Sequence, residues 1–230
     1  MAANYSISPG QTTTAHISKK LLTVSSISAS NKAYDGNAIA TSTITLSGFV
    51  GSETLTSSNL SSFNNKNVGT GKTVTVNSIT LADGSNGGLA LNYSISSGQT
   101  TTANITAKAL TVSGITASDK TYDATTTATL GTGSVSYGGL VSGDTLTGTF
   151  SGVFNNANVG TGKTVTITSS YGGTDVNNYT ITDQASTTAD IFKKALTAAA
   201  SASNKVYDAS STATTTLTFT GLIGSETLGQ

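Results

Sequence analysis

The sequence of 230 residues contains no cysteine, no tryptophan and no arginine, and it has one proline, one methionine and one histidine. Without cysteine, neither disulfides nor thiolate metal sites can form. All eleven basic residues are lysine, so the forked arginine donor that reads phosphates and base edges is missing. The formal net charge is +0, so the chain lacks the excess of positive charge that is typical of nucleic-acid-binding proteins. We therefore expect no nucleic-acid partner.

Charge and long apolar runs are also scarce. Charged residues make up 10 % of the chain, and no stretch approaches the length of a membrane-spanning helix, so we expect no membrane insertion. The residues after Met1 lack the basic and apolar segments of a signal peptide, so an export signal would lie outside this sequence. What is abundant is threonine, valine and isoleucine, which favour strands, with serine, asparagine and glycine for turns. This composition predicts an ordered all-β protein.

A long internal repeat dominates the sequence. The motif Lys-x-Tyr-Asp begins at Lys32, at Lys120 and at Lys205, with spacings of 88 and 85 residues. Three other blocks recur in the same order, beginning at Phe63 and Phe154, at Asn4, Asn92 and Asn178, and at Gly51, Gly143 and Gly224. A period of this length is typical of one small β-sandwich per repeat. We predict two complete repeats at 20–107 and 108–194, the last strands of a partial repeat at 1–19, and the first strands of another at 195–230.

Within each repeat the apolar residues alternate with polar ones. Val74 and Val76 flank Thr75, and Val165 and Ile167 flank Thr166, as in strands with one buried face. Glycine and asparagine turns separate about seven such strands per repeat, the number expected of an immunoglobulin-like sandwich. The alanine-rich stretch 195–202 corresponds to strand-like segments in the other copies and is predicted as a strand. Because no flexible linker separates the repeats, we expect tandem sandwiches in an elongated rod.

These motifs resemble the YDG and MBG (mostly bacterial immunoglobulin-like) repeats of large secreted adhesins of the filamentous-haemagglutinin type. The likeness rests on Lys-x-Tyr-Asp-Gly, Asn-Val-Gly-Thr-Gly-Lys, Asn-Tyr-x-Ile and Thr-Thr-Ala-x-Ile, and it spans nearly the whole chain. It implies a spacer or adhesion role and supplies no catalytic residues. Gly36 ends the Tyr-Asp-Gly motif of the first copy, but Ala124 and Ala209 replace it in the others. Since alanine avoids positive φ, we predict that this position does not require it.

Three features that suggest chemistry have plainer interpretations. Residues 157–164 match a relaxed phosphate-binding loop, but a strand-like segment follows where a helix is needed, so we interpret them as a turn. His16, the one histidine, is replaced by Asn104 and Asp190 in the other copies, and we predict an exposed strand residue rather than a catalytic or metal-binding one. Asp35 and Asp123 are too isolated for the six to eight oxygen ligands of calcium and are interpreted as turn residues. We predict no metal and no cofactor.

A lysine, an asparagine and an acid recur in both complete repeats, as in domains cross-linked by an intramolecular isopeptide bond. The first set is Lys32, Asn92 and Glu53, and the second is Lys120, Asn178 and Asp144. A buried lysine loses its charge and becomes nucleophilic, and a protonated acid polarises the amide. The simpler interpretation places the lysines and asparagines in surface turns.

For function, we expect a structural stalk or fibre segment of a bacterial extracellular or cell-surface protein, not an enzyme. The partial repeats at the two ends suggest that the chain is its own partner, assembling head to tail as one half-repeat completes another. The alternative is a module that binds carbohydrate or another surface, with host or environmental glycans or ice as the ligand. That module would use an exposed threonine array formed by Thr73, Thr75, Thr100, Thr101 and Thr102.

Overall fold

The computed structural model describes residues 2–228, which form two compact units, one within residues 1–107 and one within residues 108–230. Over this part of the chain there are 21 strands and three single-turn 3-10 helices, so the predicted all-β class is confirmed. Among the described residues no helix is long and apolar enough to cross a membrane.

The first unit has nine strands, two more than the sequence predicts, because short pairings at the edges count separately. They are β1 (Lys20–Leu21), β2 (Thr23–Ala29), β3 (Lys32–Ala33), β4 (Ile39–Ala40), β5 (Ser42–Ser47), β6 (Leu55–Phe63), β7 (Gly69–Asp83), β8 (Tyr93–Ser94) and β9 (Thr100–Thr106). Its 3-10 helices are Ala2–Asn4 and Ala90–Asn92.

The second unit repeats this order and continues into the partial repeat. Its strands are β10 (Lys108–Ser113), β11 (Thr116–Ala117), β12 (Lys120–Thr121), β13 (Thr127–Ala128), β14 (Leu130–Gly131), β15 (Ser136–Gly138), β16 (Thr147–Phe154), β17 (Gly160–Gly172), β18 (Tyr179–Thr182), β19 (Ser186–Phe192), β20 (Thr197–Ala202) and β21 (Thr215–Thr220). Its 3-10 helix is Val176–Asn178.

Each complete repeat is built on a five-stranded sheet. In the first unit the strand order is β3-β9-β7-β6-β4, with the β6–β7 hairpin near the centre and β3 parallel to β9 at one edge. A second layer, made of the pairs β2–β5 and β1–β8, lies against it, since β2 contacts β9 and β5 contacts β6. The second unit has the matching order β12-β19-β17-β16-β13, covered by β15-β10-β18 and β11-β14.

The core lies between these layers and follows the predicted alternation. Val74 and Val76 on β7 are fully buried, whereas Thr73, which directly precedes Val74 on the same strand, is exposed. Val165 and Ile167 occupy the same places on β17. Burying a side chain of this size contributes about 1.5–3 kcal/mol, so the central strand stabilises each sheet most.

The two partial repeats differ from each other. Residues 195–202, predicted as a strand, contain β20, which pairs antiparallel with β21. Residues 1–19, predicted to hold the last strands of a repeat, contain the 3-10 helix Ala2–Asn4 and no strand among their described residues. The matching strand β9 pairs with β7, and this segment has no such neighbour. His16 is accordingly exposed, as predicted, but lies outside any strand.

The third residue of each Tyr-Asp-Gly/Ala motif has positive φ, which corrects the prediction made from its alanines. The angles are 82° at Gly36, 61° at Ala124 and 58° at Ala209. The aspartate before it binds the backbone N–H two residues on, with Asp123 Oδ1 accepting from Thr125 N at 2.9 Å. That turn imposes the left-handed conformation, which costs alanine about 1–2 kcal/mol.

Replacing Ala124 with glycine should therefore stabilise the second repeat by about 1 kcal/mol, because glycine adopts positive φ without a Cβ clash. Chemical denaturation would measure the change in the free energy of unfolding. Ala185 is exposed and has ordinary φ, so Ala185→Gly is the control and should lower stability instead. A loss of stability in Ala124→Gly would contradict the assignment of strain.

Candidate functional site

The lysine of the repeated motif places its ammonium among oxygen atoms. In the first repeat Lys32 Nζ donates to Asp35 Oδ1 at 2.7 Å, to Asn37 O at 2.9 Å and Oδ1 at 3.1 Å, and to Ile39 O at 3.0 Å. We call this arrangement the lysine cage. The Lys32 side chain is 19 % exposed, so most of its stem is covered.

The second repeat has the same cage with different acceptor residues. Lys120 Nζ donates to Asp123 Oδ1 at 2.7 Å, to Thr125 O at 2.8 Å and Oγ1 at 3.0 Å, and to Thr127 O at 3.1 Å. In the partial copy Lys205 forms the ion pair with Asp208 at 2.8 Å. The motif therefore encodes the same turn three times.

The cage closes the end of the core. Between β3 and β4 the chain crosses from one edge of the five-stranded sheet to the other. Carbonyl groups in a crossing segment, or on the outer side of an edge strand, have no ladder partner, and Lys32 supplies one to Asn37 in the crossing and to Ile39 at the start of β4. The ammonium also lies 5.7 Å from the ring centroid of buried Phe63, and Lys120 lies 5.5 Å from that of Phe154, within cation–π distance.

The cage keeps its aspartates ionised. The hydrogen bond from Lys120, followed by that from the Thr125 N–H, lowers the pKa of Asp123 from 3.8 to about 2. Burial acts to raise the pKa of Asp35, but the Lys32 and Asn37 hydrogen bonds outweigh it and the pKa falls below its ordinary value. Lys205 likewise lowers the pKa of Asp208.

A second recurring contact fixes the turn that carries the acid. The Val50 N–H donates to the Tyr93 hydroxyl at 3.1 Å, and that hydroxyl donates to the Glu53 carboxylate. We call this the tyrosine clamp. In the second repeat Val141 N donates to Tyr179 Oη at 2.9 Å, and Tyr179 donates to Asp144 at 2.6 Å. Both tyrosines are buried, with the hydroxyl at the rim of the core.

A polar relay links the start of each motif to the last strand. Asn31 Oδ1 accepts from Asn104 N at 2.7 Å, and Asn104 Oδ1 accepts from Gly71 N at 2.7 Å. In the second repeat Asp119 accepts from Asp190 N and Asp190 from Gly162 N, both at 2.7 Å. Gly71 and Gly162 have positive φ and lie where the register shifts, so the relay fixes a bulge in the central strand.

The second unit also contains a contact between its complete repeat and the partial one. The Tyr122 hydroxyl donates to the Glu226 carboxylate, and this hydrogen bond raises the pKa of Tyr122. Beside it is a cavity of about 240 Å³, whose apolar wall includes Val159, Leu196 and Ile223. A tyrosine of one repeat thus reaches the acid-bearing turn of the next.

The structure divides each set of residues predicted for an isopeptide bond. Glu53 and Asn92 line one cavity and Lys32 lines another, with no lining residue in common. Lys32 is paired with Asp35 instead, and Glu53 holds Tyr93.

The second set is divided in the same way. Lys120 is held by Asp123, and Asp144 holds Tyr179 next to buried Asn178. The cross-link itself stays a prediction, which an intact mass equal to that of the sequence would exclude.

The other candidates take structural places. Residues 160–164 already belong to β17, so the segment 157–164 has no helix N-terminus to face a phosphate. Asp35 and Asp123 serve their turns, with a lysine ammonium where a cation would sit. Within residues 2–228 no group of three or more histidines and acids is arranged to hold a metal.

The predicted threonine array is mostly formed. Thr73 lies opposite Thr102, and Thr75 opposite Thr100, on the outer face of the five-stranded sheet, where Thr75 is half-buried and the other three are exposed. Thr101 differs, because it lies opposite buried Val74 and is half-buried on the inner side. The second repeat has a similar ladder, with exposed Thr164 opposite exposed Thr188.

The hydrogen-bond and ion-pair partners of these residues were not among those predicted from the sequence. In every copy an aspartate follows the motif lysine by three residues, as Asp35 follows Lys32. This fixed spacing indicates an ion pair within one turn. A tyrosine follows Asn92 and Asn178 directly, and its recurrence marked the residue that binds the acid. For the relay through Asn104 and Asp190, the only indication in the sequence is that these two residues occupy the same position in their repeats.

The lowered pKa of Asp123 can be tested by titration. In the folded protein we expect its carboxyl carbon to titrate by NMR at a pH of about 2, and Lys120→Met should return it towards 3.8. Because the folded-state pKa is depressed, the ion pair stabilises the fold above that ordinary value, and this stabilisation is lost as the pH falls towards 2. Lys19→Met, at an exposed lysine outside the cage, is the control and should leave the titration unchanged. A wild-type midpoint near 3.8 would contradict the cage.

Comparison with known proteins gives one family. The model of the YDG domain matches the chain twice, over residues 18–103 and 106–189. No curated protein and no solved structure matches the chain. Each match contains one complete lysine cage and one tyrosine clamp, and together they cover well over half of the sequence. The chain belongs to the YDG domain family.

Proposed function

We propose that this chain is a structural spacer, a stalk or fibre segment of a bacterial protein displayed outside the cell, with no catalytic role. The observation that carries the proposal is that the recurring polar residues fasten each repeat internally. Lys32 and Lys120 hold the crossing segments, and Tyr93 and Tyr179 hold the acid-bearing turns. Side chains committed to the fold in every copy favour a mechanical role over a binding site.

An extracellular location is proposed from the resemblance of the motifs, and the ion pairs and hydrogen bonds that hold each repeat are compatible with it. Secreted repeats often rely on disulfides, whose formation depends on the redox compartment. Ion pairs and tyrosine–carboxylate hydrogen bonds do not depend on it, and this sequence has no cysteine. The resemblance of its motifs to repeats of large secreted adhesins points the same way, and we propose the bacterial cell surface.

A short connection between repeats supports an elongated rod. β9 ends at Thr106 and β10 begins at Lys108, so Ala107 alone separates them. A connection of one residue has little freedom to bend, in contrast to a glycine-serine linker. We propose that tandem repeats extend as a semi-rigid chain.

Duplicating the two complete repeats tests the spacer. A second copy of residues 20–194, fused in frame after the first, should make the maximum dimension from small-angle X-ray scattering grow in proportion to the number of repeats. Compact packing would instead raise the radius of gyration only about 1.3-fold when the chain is doubled. As a matched control, a ten-residue glycine-serine insertion after Ala107 should broaden the distance distribution. Compact scaling of the duplicated chain would sink the proposal.

The threonine ladders favour a second candidate, a module that binds carbohydrate, ice or another extended surface. The pairs Thr73–Thr102 and Thr75–Thr100 present hydroxyl groups at the regular spacing of a sheet. Threonine on the solvent face of strands is also ordinary, so this is the weaker candidate. A glycan array without hits, together with unchanged ice growth, would remove it.

Self-assembly by completion of half-repeats is less well supported than the sequence suggested. Aligned on their motifs, residues 195–230 and 1–19 correspond to residues 22–57 and 89–107 of the first repeat. Together they lack the counterparts of β7 and most of β6, which occupy the middle of the five-stranded sheet. A joined pair of half-repeats would leave out Phe63, Val74 and Val76, which are among the most buried residues of that sheet.

A further inference from the structure

We propose that one interior position makes each complete repeat accept only its own strands, so that consecutive repeats fold without exchanging segments. The position is filled by Ser42 and Ser61 in the first repeat and by Leu130 and Gly152 in the second. We call these two combinations the selector pairs. The inference goes beyond the spacer role, because it concerns how two repeats with the same motifs fold separately.

Strand exchange is a risk for this chain because the edges of the two sheets are alike. The edge strands β4 and β13 are two residues long, and each pairs with the long strand beside it, β6 or β16, in the same register. The inward residue of both edge strands is alanine, Ala40 or Ala128. So short a pairing with the same inward residue specifies its partner weakly. Misassembly and strand swapping are characteristic failures of repeat proteins.

In the first repeat the selector pair is polar. Ser42 begins β5, two residues after Ala40, and its Oγ lies 2.7 Å from the Oγ of Ser61, which is 6 % exposed. Asn59 Nδ2 donates to Ser42 Oγ at 2.6 Å and to Ser61 Oγ at 3.2 Å. Three polar side chains therefore satisfy one another in a partly buried place, and the loss of one leaves the others without that partner.

In the second repeat the same position is apolar. Gly152 is buried on β16 opposite Ala128, as Ser61 lies opposite Ala40, and Leu130 follows Ala128 by two residues. Leu130 packs against the core of this repeat. A Cβ atom added at Gly152 would lie 2.7 Å from Leu130 Cδ2 and 3.0 Å from its Cγ, too close for a carbon–carbon contact. The leucine therefore fills the space that a serine side chain would need.

Exchange is unfavourable in both directions. With the β13–β14 segment in the first repeat, Leu130 would meet the Ser61 side chain, and Asn59 would lose the Ser42 hydroxyl. With the β4–β5 segment in the second repeat, Ser42 would face Gly152, leaving a void and a hydroxyl without its partner. Both mixed combinations are worse than both native ones, so the selector pairs discriminate between a repeat's own segment and the foreign one.

The core around the selector pairs is shared and does not discriminate. Its matched residues are Phe63 and Phe154, Val74 and Val165, and Ile105 and Ile191. A foreign segment would meet the same apolar neighbours in either repeat. The selector pairs differ in both polarity and volume, which are the two properties that core packing distinguishes best.

Engineered cysteines can report strand exchange, because the chain has none of its own. Ile39→Cys with Val153→Cys places one thiol on β4 and one on β16, so β4 pairing with β16 allows a disulfide. Ile39 and Ser62 are Cα partners, so Ile39→Cys with Ser62→Cys is the positive control. Each chain would be unfolded in reductant, refolded and oxidised, and mass spectrometry would count disulfides within and between molecules. The same chain oxidised without unfolding gives the background.

With the native selector pairs we expect the refolded reporter to stay at the background. Gly152→Ser should raise the cross-repeat disulfide by about 5-fold or more, because the new side chain blocks Leu130 and gives Ser42 a hydroxyl partner. Ile167→Val is the matched control, since Ile167 lies opposite Gly152 and its truncation weakens the same sheet without changing the selector pair. It should leave the disulfide at the background.

A double-mutant cycle decides the matter if Gly152→Ser folds poorly. Gly152→Ser overpacks the position and Leu130→Ser empties it, so each should speed hydrogen exchange of the β16 and β17 amides. Together they rebuild the serine pair of the first repeat, so the double variant should lose less protection than the sum of the two. The double variant should also raise the cross-repeat disulfide, because both repeats then carry the same pair.

Four results would each overturn the proposal. They are additive losses of protection in the cycle, a cross-repeat disulfide well above background with the native pairs, no rise in a folded Gly152→Ser chain, and an equal rise in Ile167→Val.

Discussion

In each complete repeat the chain crosses from one edge of the five-stranded sheet to the other, and a lysine ammonium donates hydrogen bonds to carbonyl groups of that crossing. The crossing segment after β3 cannot use ladder hydrogen bonds, so its carbonyl groups need another donor. Lys32 reaches Asn37 O and Ile39 O while its ammonium lies 5.7 Å from the ring centroid of Phe63. One side chain therefore binds both the crossing segment and the first residue of β4.

The choice of lysine over arginine follows from the shape of the cage. An ammonium group directs three donors away from a single point, whereas the guanidinium group is a flat fork. The acceptors around Lys120 come from one carboxylate and from carbonyls two residues apart along a bent segment. Oxygens placed in this way suit a compact charge. With the carboxylate ionised, the charge is compensated where the stem enters the core.

The sequence predicts the all-β class, the repeat and its buried valines, because period-two alternation is a local property that β7 and β17 display directly. It also identifies the lysines of the cage and the acids of the clamp, but not the side chains that bind them. Lys32 pairs with Asp35 in its own turn, a partner that the predicted set of Lys32, Asn92 and Glu53 does not contain. The alanine at position 124 predicts an ordinary φ, because alanine disfavours the left-handed region. The hydrogen bond from Thr125 N to Asp123 overrides that preference. Such partners depend on where a turn folds back, which residue spacing alone does not fix.

The partial repeat separates what the motif encodes locally from what the sheet adds. Lys205 and Asp208 form their ion pair at 2.8 Å, and Ala209 keeps positive φ, although the segment around them forms no strand in the described structure. Lys205 is 37 % exposed, against 17 % for Lys120, whose ammonium lies 5.5 Å from the ring centroid of Phe154. The turn therefore forms from its own residues, and the sheet then buries the lysine and supplies the carbonyl acceptors.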